Sequence, residues 1–546
     1  MSTPRTLVPA HRRLTALLGA CAAFFAVSVV AVVLHTPQAA ASTGTGYLHT
    51  SGSKIVDSTG AVVRLTGLNW FGMETDNHTF HGLWAGRNAT WKMQMDHMAA
   101  LGFNTIRVPF TGDSLRAGAQ ATSINSDSNP DLVGLSPLQI LDKVVDYAGQ
   151  KGMRIFLDRH RPSTAGQTAL WYTSSVSEAS EIADWQMLAQ RYANNPTVIG
   201  ADLFNEPHAE GTDPQGTGAC WGCGDTTKDW RLAAQRIGNA VLQANPNWLI
   251  IVEGVSCNLA SGGTPNTFDN IPDDPLACDW WGGNLSQAAT APVQLSVANR
   301  LVYSAHDYGI SVFDRQPWFN DPNFPNNLPD VWNHFWGYLV QQNIAPVLIG
   351  EFGSTLANPL DTEWMTKLMS YMGTGSNGMS FTYWSWNPDS GDTGGIVQDD
   401  WVTVNQNKMD IVGPYLNPPV GAPPSNNPPP SSRPPSTGPS SGPPSSPPPG
   451  NGSCNVTYAV TNSWPGGFTS NVTVTNGGTA ALAWTVRLTP PSGVTLANGW
   501  SATFAATSSP WVITPPSWQP TVAPGQSYTF GFQGNGSSTP APSLTC

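Results

Sequence analysis

Residues 198–208 read Val-Ile-Gly-Ala-Asp-Leu-Phe-Asn-Glu-Pro-His, and they contain the pattern that indicates the fold. The first seven are typical of a buried β-strand, and the proline removes a backbone donor that a continuing strand would need. Asn205 and Glu206 are therefore expected at the carboxyl end of a strand. Residues 345–353, Ala-Pro-Val-Leu-Ile-Gly-Glu-Phe-Gly, repeat this pattern, and Glu351 ends their apolar run. Two glutamates at the ends of separate strands are a candidate acid/base and nucleophile pair.

Strand patterns alternate with amphipathic helix patterns from about residue 46 to residue 416. The strand patterns cover residues 62–71, 103–110, 154–159, 198–204, 248–252, 300–306, 346–352 and 379–386. The helix patterns between them cover residues 91–100, 137–151, 178–193, 229–244, 329–342 and 361–371. This alternation predicts an α/β fold, a (β/α)8 TIM barrel with enlarged loops. The active site of such a barrel lies at the carboxyl ends of its strands, where both glutamates are expected.

Composition excludes some classes of partner. The formal net charge is −12 and only 11% of the 546 residues are charged, so nucleic acid is not expected to bind. The 22 tryptophans suit flat, uncharged ligands, although many of them are expected to fill the core. The length predicts at least two domains.

The first 41 residues have the features of a secretion signal. Three arginines, at positions 5, 12 and 13, precede an apolar run at 14–34, and alanines at 39–41 offer a cleavage site before Ser42. We therefore expect a secreted, extracellular protein that leaves the membrane after cleavage. The apolar run is long, so an uncleaved anchor is the alternative.

Composition changes twice towards the carboxyl end. Residues 418–452 consist almost wholly of Pro, Ser, Gly and Asn, which predicts a disordered linker. Residues 453–546 alternate apolar and polar side chains with Gly- and Pro-rich turns, which predicts an all-β sandwich without catalytic groups. The predicted domains are thus a signal at 1–41, a barrel at 42–417, the linker and the sandwich.

An even number of cysteines in a secreted chain predicts disulfides. Six follow the signal: Cys220, Cys223, Cys257, Cys278, Cys454 and Cys546. The last two bracket the sandwich and are expected to join its ends, and the middle two flank a loop. Cys220-Trp-Gly-Cys223 could be a redox or zinc half-site, but it has no second CxxC or His pair, which favours a short structural disulfide.

Polar residues follow other predicted strands of the barrel. A buried Arg107 could hold Glu351 ionised by charge pairing, and Asn205 could bind a sugar hydroxyl. His160 and His306 also lie at strand ends. Two histidines and a glutamate could bind a metal, but they lie on scattered strands without a metal-binding spacing, so neither metal nor cofactor is expected.

Six motifs together resemble glycoside hydrolase family 5, near its bacterial secreted endoglucanases, over residues 46–416. They are IRVPF at 106–110, LDRH at 157–160, LFNEPH at 203–208, SAHDY at 304–308, IGEFG at 349–353 and WSWNPDSGDTGG at 384–395. The resemblance implies an endo-β-1,4-glucanase that retains anomeric configuration, with Glu206 as acid/base and Glu351 as nucleophile.

The resemblance also implies roles for residues around this pair. Arg107, His160, Asn205 and His306 take supporting positions, Tyr308 hydrogen-bonds the nucleophile, and Trp384 stacks on the sugar beside the cleavage point. Weaker correspondences suggest three further substrate-binding residues, Trp84, Trp281 and Gln316. The loop between Cys257 and Cys278 is longer than expected for this family, which puts the outer subsites near Trp280 and Trp281 in question.

The substrate is expected to be cellulose or a related β-1,4-glucan. Family relatives that act on mannan, xyloglucan or mixed-linkage glucan share the glutamates, so these substrates are the alternative. A binding protein with a decayed barrel is disfavoured, because both glutamates and the supporting residues are present. A monomer is expected.

The last domain resembles carbohydrate-binding module family 2 over its whole length. This resemblance implies that Trp464, Trp500 and Trp518 form an exposed strip that stacks on cellulose. Trp484 lies in a regular alternation and is expected in the core, whereas the pattern does not place Trp511.

Overall fold

The structure is a computed structural model that describes residues 43–210, 218–257, 278–419, 454–464, 466–500, 502–506, 508–515 and 521–546. The chain divides into two compact units, Met1–Ser425 and Asn426–Cys546. The predicted signal and nearly all of the predicted linker lie outside the described residues. Within the described part, no helix is long and apolar enough to cross a membrane.

The first unit is built on a closed barrel of eight parallel strands. A small antiparallel sheet precedes it: β1 (His49–Ser51), β2 (Lys54–Val56) and β3 (Val62–Val63). The barrel strands are β4 (Thr66–Asn69), β5 (Thr105–Thr111), β6 (Arg154–Arg161), β7 (Val198–Asp202), β8 (Leu249–Glu253), β9 (Leu301–Tyr308), β10 (Val347–Gly353) and β11 (Ser380–Tyr383). Each strand pairs with the next, and β11 closes the barrel against β4. The predicted (β/α)8 barrel is confirmed.

The first predicted strand, 62–71, is wrong as a single element. It divides between β3 and β4 because Arg64, which is only 3% exposed, turns into the base of the barrel. There its guanidinium donates to the carbonyls of Met379, Gly373 and Tyr415 at 2.8, 2.7 and 2.8 Å. These bonds tie the start of the barrel to the segments around its last strand.

Helices lie between the barrel strands, and they form where the sequence combines an apolar face with capping residues. They are α1 (Trp91–Leu101), α2 (Gly112–Leu115), α3 (Pro137–Gln150), α4 (Glu178–Arg191), α5 (Trp230–Ala244), α6 (Leu328–Trp332), α7 (Tyr338–Gln341), α8 (Pro359–Met372) and α9 (Gln406–Val412). A π-helical turn, Asn333–Gly337, joins α6 to α7 within the predicted helix 329–342. At the start of α3, Ser136 and Gln139 exchange side-chain bonds in a capping box. The short helices α2 and α9 were not predicted.

The second unit is the predicted β-sandwich. Its strands are β12 (Cys454–Trp464), β13 (Gly467–Asn476), β14 (Val486–Thr489), β15 (Thr495–Trp500), β16 (Thr503–Ala506), β17 (Trp511–Thr514), β18 (Ser527–Asn535) and β19 (Ser543–Thr545). They form two four-stranded sheets, ordered β12-β13-β18-β15 and β16-β17-β14-β19.

The tryptophans of the sandwich are described only in part. Trp484 is 2% exposed, so its predicted core position is confirmed, and Trp511 is buried beside it. The side chains of Trp464 and Trp500 and the whole of Trp518 lie outside the described residues.

Disulfides join the cysteines in the expected pairs. They link Cys220 with Cys223, Cys257 with Cys278, and Cys454 with Cys546. The last pair connects the two ends of the sandwich unit.

Candidate active site

A cleft of about 720 Å³ opens at the carboxyl ends of the barrel strands. Many of the predicted site residues line it: Asn205, Glu206, Glu351, His160, Tyr308, Trp384, Trp281 and Gln316. Arg107 and His306 lie fully buried beneath them. Trp84 does not line this cleft. Trp84 is 39% exposed, and the centroid of its ring lies 5.0 Å from that of the His81 ring.

Arg107 connects the strands under the cleft. From the third position of β5 its guanidinium reaches four carboxylates, those of Asp158, Asp202, Glu253 and Glu351. It also donates to the amide oxygens of Asn69 and Asn205, at 3.0 and 2.9 Å. Burial alone would lower the pKa of Arg107, but the four acids raise it well above its ordinary value. The arginine is therefore a permanent positive charge among acids.

Glu351 is held as an ionised carboxylate. Its Oε1 accepts from Arg107 Nη1, and its Oε2 accepts from the Tyr308 hydroxyl. Burial by itself would raise the pKa of Glu351, but the charges of His306 and Arg107 outweigh burial and lower the pKa to about 2. At neutral pH this group is ionised and is suited to act as a nucleophile or an electrostatic stabiliser.

A bulge in β10 directs Glu351 towards the cleft. The register of β10 against β9 shifts between Ile349 and Glu351, and Gly350 occupies the shift. A Cβ at Gly350 would lie 2.5 Å from Ser304 Oγ. Only glycine therefore fits beside Glu351 without moving Ser304.

Glu206 lies four residues beyond the end of β7, on a left-handed backbone with φ of 52°. Its N–H donates to Glu253 Oε2 at 2.7 Å, which holds this conformation in place. Its side chain is bonded at both oxygens, with His306 Nδ1 at 3.0 Å and with Gln167 Nε2 at 2.8 Å. Burial raises the pKa of Glu206, and the nearby charge of Glu351 raises it further, against the opposing effect of His306. Glu206 is thus disposed to carry a proton.

The surroundings shift the pKa values of the two histidines in opposite directions. Burial would lower the pKa of His306, but Glu253, Glu351 and the bond to Glu206 raise it well above its ordinary value. Burial lowers the pKa of His160 to about 4, so its imidazole is neutral at pH 7. His160 Nδ1 lies 2.7 Å from Asp158 Oδ2, which fixes the ring.

Aromatic rings cover the walls of the cleft. Trp384 is half-buried and parallel to Phe71 and His160, with ring centroids 5.4 and 5.3 Å apart. On another part of the lining, Trp281 is 41% exposed and stacks on His208 at 3.7 Å. Such faces are suited to the apolar faces of sugar rings.

Five polar residues that contact Arg107 or Glu206 were not predicted from the sequence as members of the site. They are Asn69, Asp158, Gln167, Asp202 and Glu253. Glu253 ends the apolar run 249–252 just as Glu351 ends its own run, so the same pattern could have found it. Gln167 lies in a loop after β6 without any periodic pattern, and only the folded chain brings it to Glu206.

Among the described residues, three sets of donors lie close enough together to be considered for a metal. They are Asp158 with His160 and Glu351, Glu206 with His306 and Glu351, and Asp158 with Asp202 and Glu253. Every set contains a carboxylate already paired with Arg107. The positive charge of the Arg107 guanidinium therefore disfavours a metal ion at the same carboxylates.

The geometry is suited to acid/base and nucleophilic chemistry. One oxygen of Glu206, Nδ1 of His306 and one oxygen of Glu351 all lie within 4.8 Å of one another. One carboxyl of this pair is kept ionised and the other tends to be protonated. Carboxyl groups about 5 Å apart are typical of glycosidases that use one of them as a nucleophile.

Family models match both units of the chain. The model described as cellulase (glycosyl hydrolase family 5) matches residues 56–390, and the model described as cellulose binding domain matches residues 454–546.

Named relatives match most of the chain. It is 50% identical over 390 residues to an endoglucanase of Paenibacillus polymyxa, a match that spans 71% of this chain and 91% of the relative. It is 42% identical over 495 residues to the major extracellular endoglucanase of Xanthomonas campestris pv. campestris, spanning 90% and 96% of the two chains. A solved complex of an endocellulase from Pyrococcus horikoshii with cellotetraose is 40% identical, with a TM-score of 0.62, and covers 69% of this chain and 100% of that one.

The bond from Gln167 generates a prediction about Glu206. An amide donor stabilises the ionised carboxylate, so Gln167→Ala should raise the pKa of Glu206 further. The pKa is measured by carboxyl carbon NMR with ¹³C-labelled glutamate, in which the resonance is assigned with Glu206→Gln. Gln190→Ala, an exposed position on α4, is the control and should leave the pKa unchanged. A lower or unchanged pKa in Gln167→Ala would contradict the assigned role of this bond.

Proposed function

Because the chain belongs to glycosyl hydrolase family 5, the cellulase family, we propose that it is a secreted endo-β-1,4-glucanase. It hydrolyses internal bonds of cellulose with retention of anomeric configuration. The observation that carries this proposal is a pair of carboxyl groups in one cleft, Glu206 and Glu351, whose pKa values are shifted in opposite directions.

The reaction proceeds in two displacements. In the first, an oxygen of Glu351 attacks the anomeric carbon while Glu206 gives its proton to the leaving glycosidic oxygen. This forms a glycosyl ester on Glu351 and releases one part of the chain. In the second, Glu206, now ionised, removes a proton from water, and the water oxygen displaces Glu351 from the sugar. The proton returns to Glu206, and no cofactor is consumed.

Neighbouring groups support each step. Arg107 and the Tyr308 hydroxyl hold the attacking carboxylate, and burial keeps Tyr308 protonated by raising its pKa well above the ordinary value. His306 lies 3.7 Å from Glu351 Oε2 and 3.0 Å from Glu206 Oε1, so it bridges the two reacting groups. Asn205 Nδ2 is buried without a partner among the described residues, which leaves it for a sugar hydroxyl.

Support for a neutral β-glucan comes from the lining and from the relatives. Trp384 and Trp281 offer ring faces to sugars, and Gln316 offers an amide. The matched relatives carry the names endoglucanase and endocellulase. Trp84, outside the central cleft, is proposed to bind only a more distant sugar.

The second unit is proposed to hold the enzyme on insoluble cellulose. The match to a cellulose binding domain over 454–546 supports this, and Trp464, Trp500 and Trp518 are the proposed contacts. Binding there raises the local concentration of the barrel at the substrate. The linker at 418–452 and the signal at 1–41 complete the proposed domain plan, and a relative named as extracellular supports secretion.

A substrate comparison tests the proposed function. Carboxymethyl-cellulose, mannan, xyloglucan and xylan are incubated with the protein, and viscosity and reducing ends are followed together. We expect a steep fall in viscosity on carboxymethyl-cellulose with few new reducing ends, as internal cleavage requires. Faster cleavage of mannan or xyloglucan would overturn cellulose as the substrate and would leave the mechanism in place.

The nucleophile is tested by Glu351→Gln. The neutral amide cannot attack the anomeric carbon, so kcat should fall by at least about 10³-fold while adsorption to cellulose is kept. Glu363→Gln, on the exposed face of α8, is the matched control and should keep full activity. Early products of the wild type, followed by ¹H NMR, should have the β configuration. Early α products or a fully active Glu351→Gln would refute the assignment.

The role of the second unit is tested by removing residues 418–546. Hydrolysis of soluble glucan should stay within about twofold of the full chain, because the barrel is a compact unit of its own. Adsorption to crystalline cellulose, measured as depletion from solution, should fall strongly. Equal adsorption of the two proteins would show that the sandwich is not the binding module.

A further inference from the structure

Lys408 is a buried cation that the proposed mechanism does not use. It lies in α9 and is 3% exposed. Within the described residues its Nζ contacts no carboxylate, and it lies 5.8 Å from the ring centroid of Tyr383. Burial lowers the pKa of Lys408 to about 8. Burying an ammonium group without a counter-charge lowers the stability of the fold. An apolar residue would avoid that cost, but it could not donate the hydrogen bonds that Lys408 makes.

Those hydrogen bonds go to one loop, residues 388–395. Nζ donates to the carbonyl oxygens of Thr393 and Gly395 at 2.7 and 3.0 Å. Gly394, between them, has a left-handed backbone with φ of 61°, and both flanking carbonyls converge on the ammonium group. A charged group with several donors is suited to two converging acceptors.

The same loop faces the cleft. Asp389, Ser390, Gly391 and Asp392 all line it. Lys408 therefore contacts the buried side of a segment whose other side forms a wall of the substrate cleft.

A chain of hydrogen bonds continues from the loop to Trp384. The Ser390 hydroxyl donates to Asp392 Oδ1 at 2.8 Å. Its oxygen accepts from Trp384 Nε1 at 3.1 Å, and it also lies 2.9 Å from Thr393 Oγ1, whose one proton it shares with the Gly394 carbonyl at 3.2 Å. Lys408 thus bonds the backbone carbonyl of Thr393. The Thr393 side chain in turn bonds the Ser390 hydroxyl, which accepts from the Trp384 indole.

We propose that Lys408 is a positioning residue for sugar binding, which acts through Thr393 and Ser390 on the ring of Trp384. This inference rests on the proposed function, since it takes Trp384 as the platform for a glucosyl unit. Lys408 touches neither the substrate nor the reacting atoms. It holds the cleft wall and the indole in the orientation that binds substrate. The loop therefore loses little conformational entropy when the substrate binds.

The kinetic test uses the full chain with cellopentaose. Lys408→Met keeps the aliphatic stem and removes the donor, so KM should rise about tenfold while kcat changes less than threefold. Ser390→Ala, at the other end of the relay, should act in the same direction. Because both changes break one path, the double variant should exceed the larger single effect by less than about twofold. Lys143→Met changes a partly exposed lysine of α3 that forms an ion pair with Asp131 at the protein surface; it is the matched control and should behave as the wild type does.

A merely structural lysine gives a different result. It would lower the melting temperature and leave KM of the folded enzyme unchanged, or its effect would multiply with that of Ser390→Ala. Either outcome overturns the proposal.

A second measurement covers the case in which Lys408→Met does not fold. Thr393→Val removes the hydroxyl link and leaves the ammonium in place. Proton exchange of the Trp384 indole N–H, assigned in ¹⁵N spectra with Trp384→Phe, should be at least about tenfold faster in this variant, because the indole acceptor has lost its support.

This exchange rate is independent of turnover. Unchanged exchange in Thr393→Val overturns the positioning role even if the enzyme cleaves cellopentaose well. Faster exchange in a protein that cleaves no glucan would instead support the relay and refute the proposed function.

Discussion

One buried guanidinium organises the barrel interior. Arg107 reaches acids from β6, β7, β8 and β10, and its positive charge offsets part of the cost of burying them away from water. The same contacts set the geometry above it, because Glu253 bonds both Arg107 and the backbone of Glu206. The residue that makes the acidic core tolerable is therefore also the one that aligns the chemistry.

The two glutamates of the cleft differ by their surroundings alone. Glu351 has a guanidinium and a phenol hydroxyl as direct partners, whereas Glu206 has an amide and a histidine shared with another acid. A common network thus pushes their pKa values in opposite directions, which is how acid/base pairs are separated at one pH. The aromatic walls carry no charge, so they leave this electrostatic separation undisturbed.

Local patterns in the sequence predicted the parts of the fold that local physics decides. The eight strands and the ends near Glu206 and Glu351 follow from apolar runs that stop at a proline, a glycine or an acid. The break at Arg64 was missed because its partners lie more than 300 residues away. Gln167 was missed for the same reason, since a glutamine in a loop carries no signal until the fold brings it to a carboxylate. The resemblance to a family supplied roles, but not the contacts that enforce them.

The division into two compact units also determines how the protein denatures. Each unit has its own core, so we expect two transitions on heating, and no single unfolding free energy then describes the chain. Reduction weakens the two unequally. The bond between Cys454 and Cys546 closes 92 residues, almost the whole sandwich, and in the chain-entropy model such a loop contributes about 4–5 kcal/mol. The barrel's bonds close only 3 and 21 residues, so the same model assigns them a smaller contribution. In a reducing medium we therefore expect the sandwich to lose its fold before the barrel does.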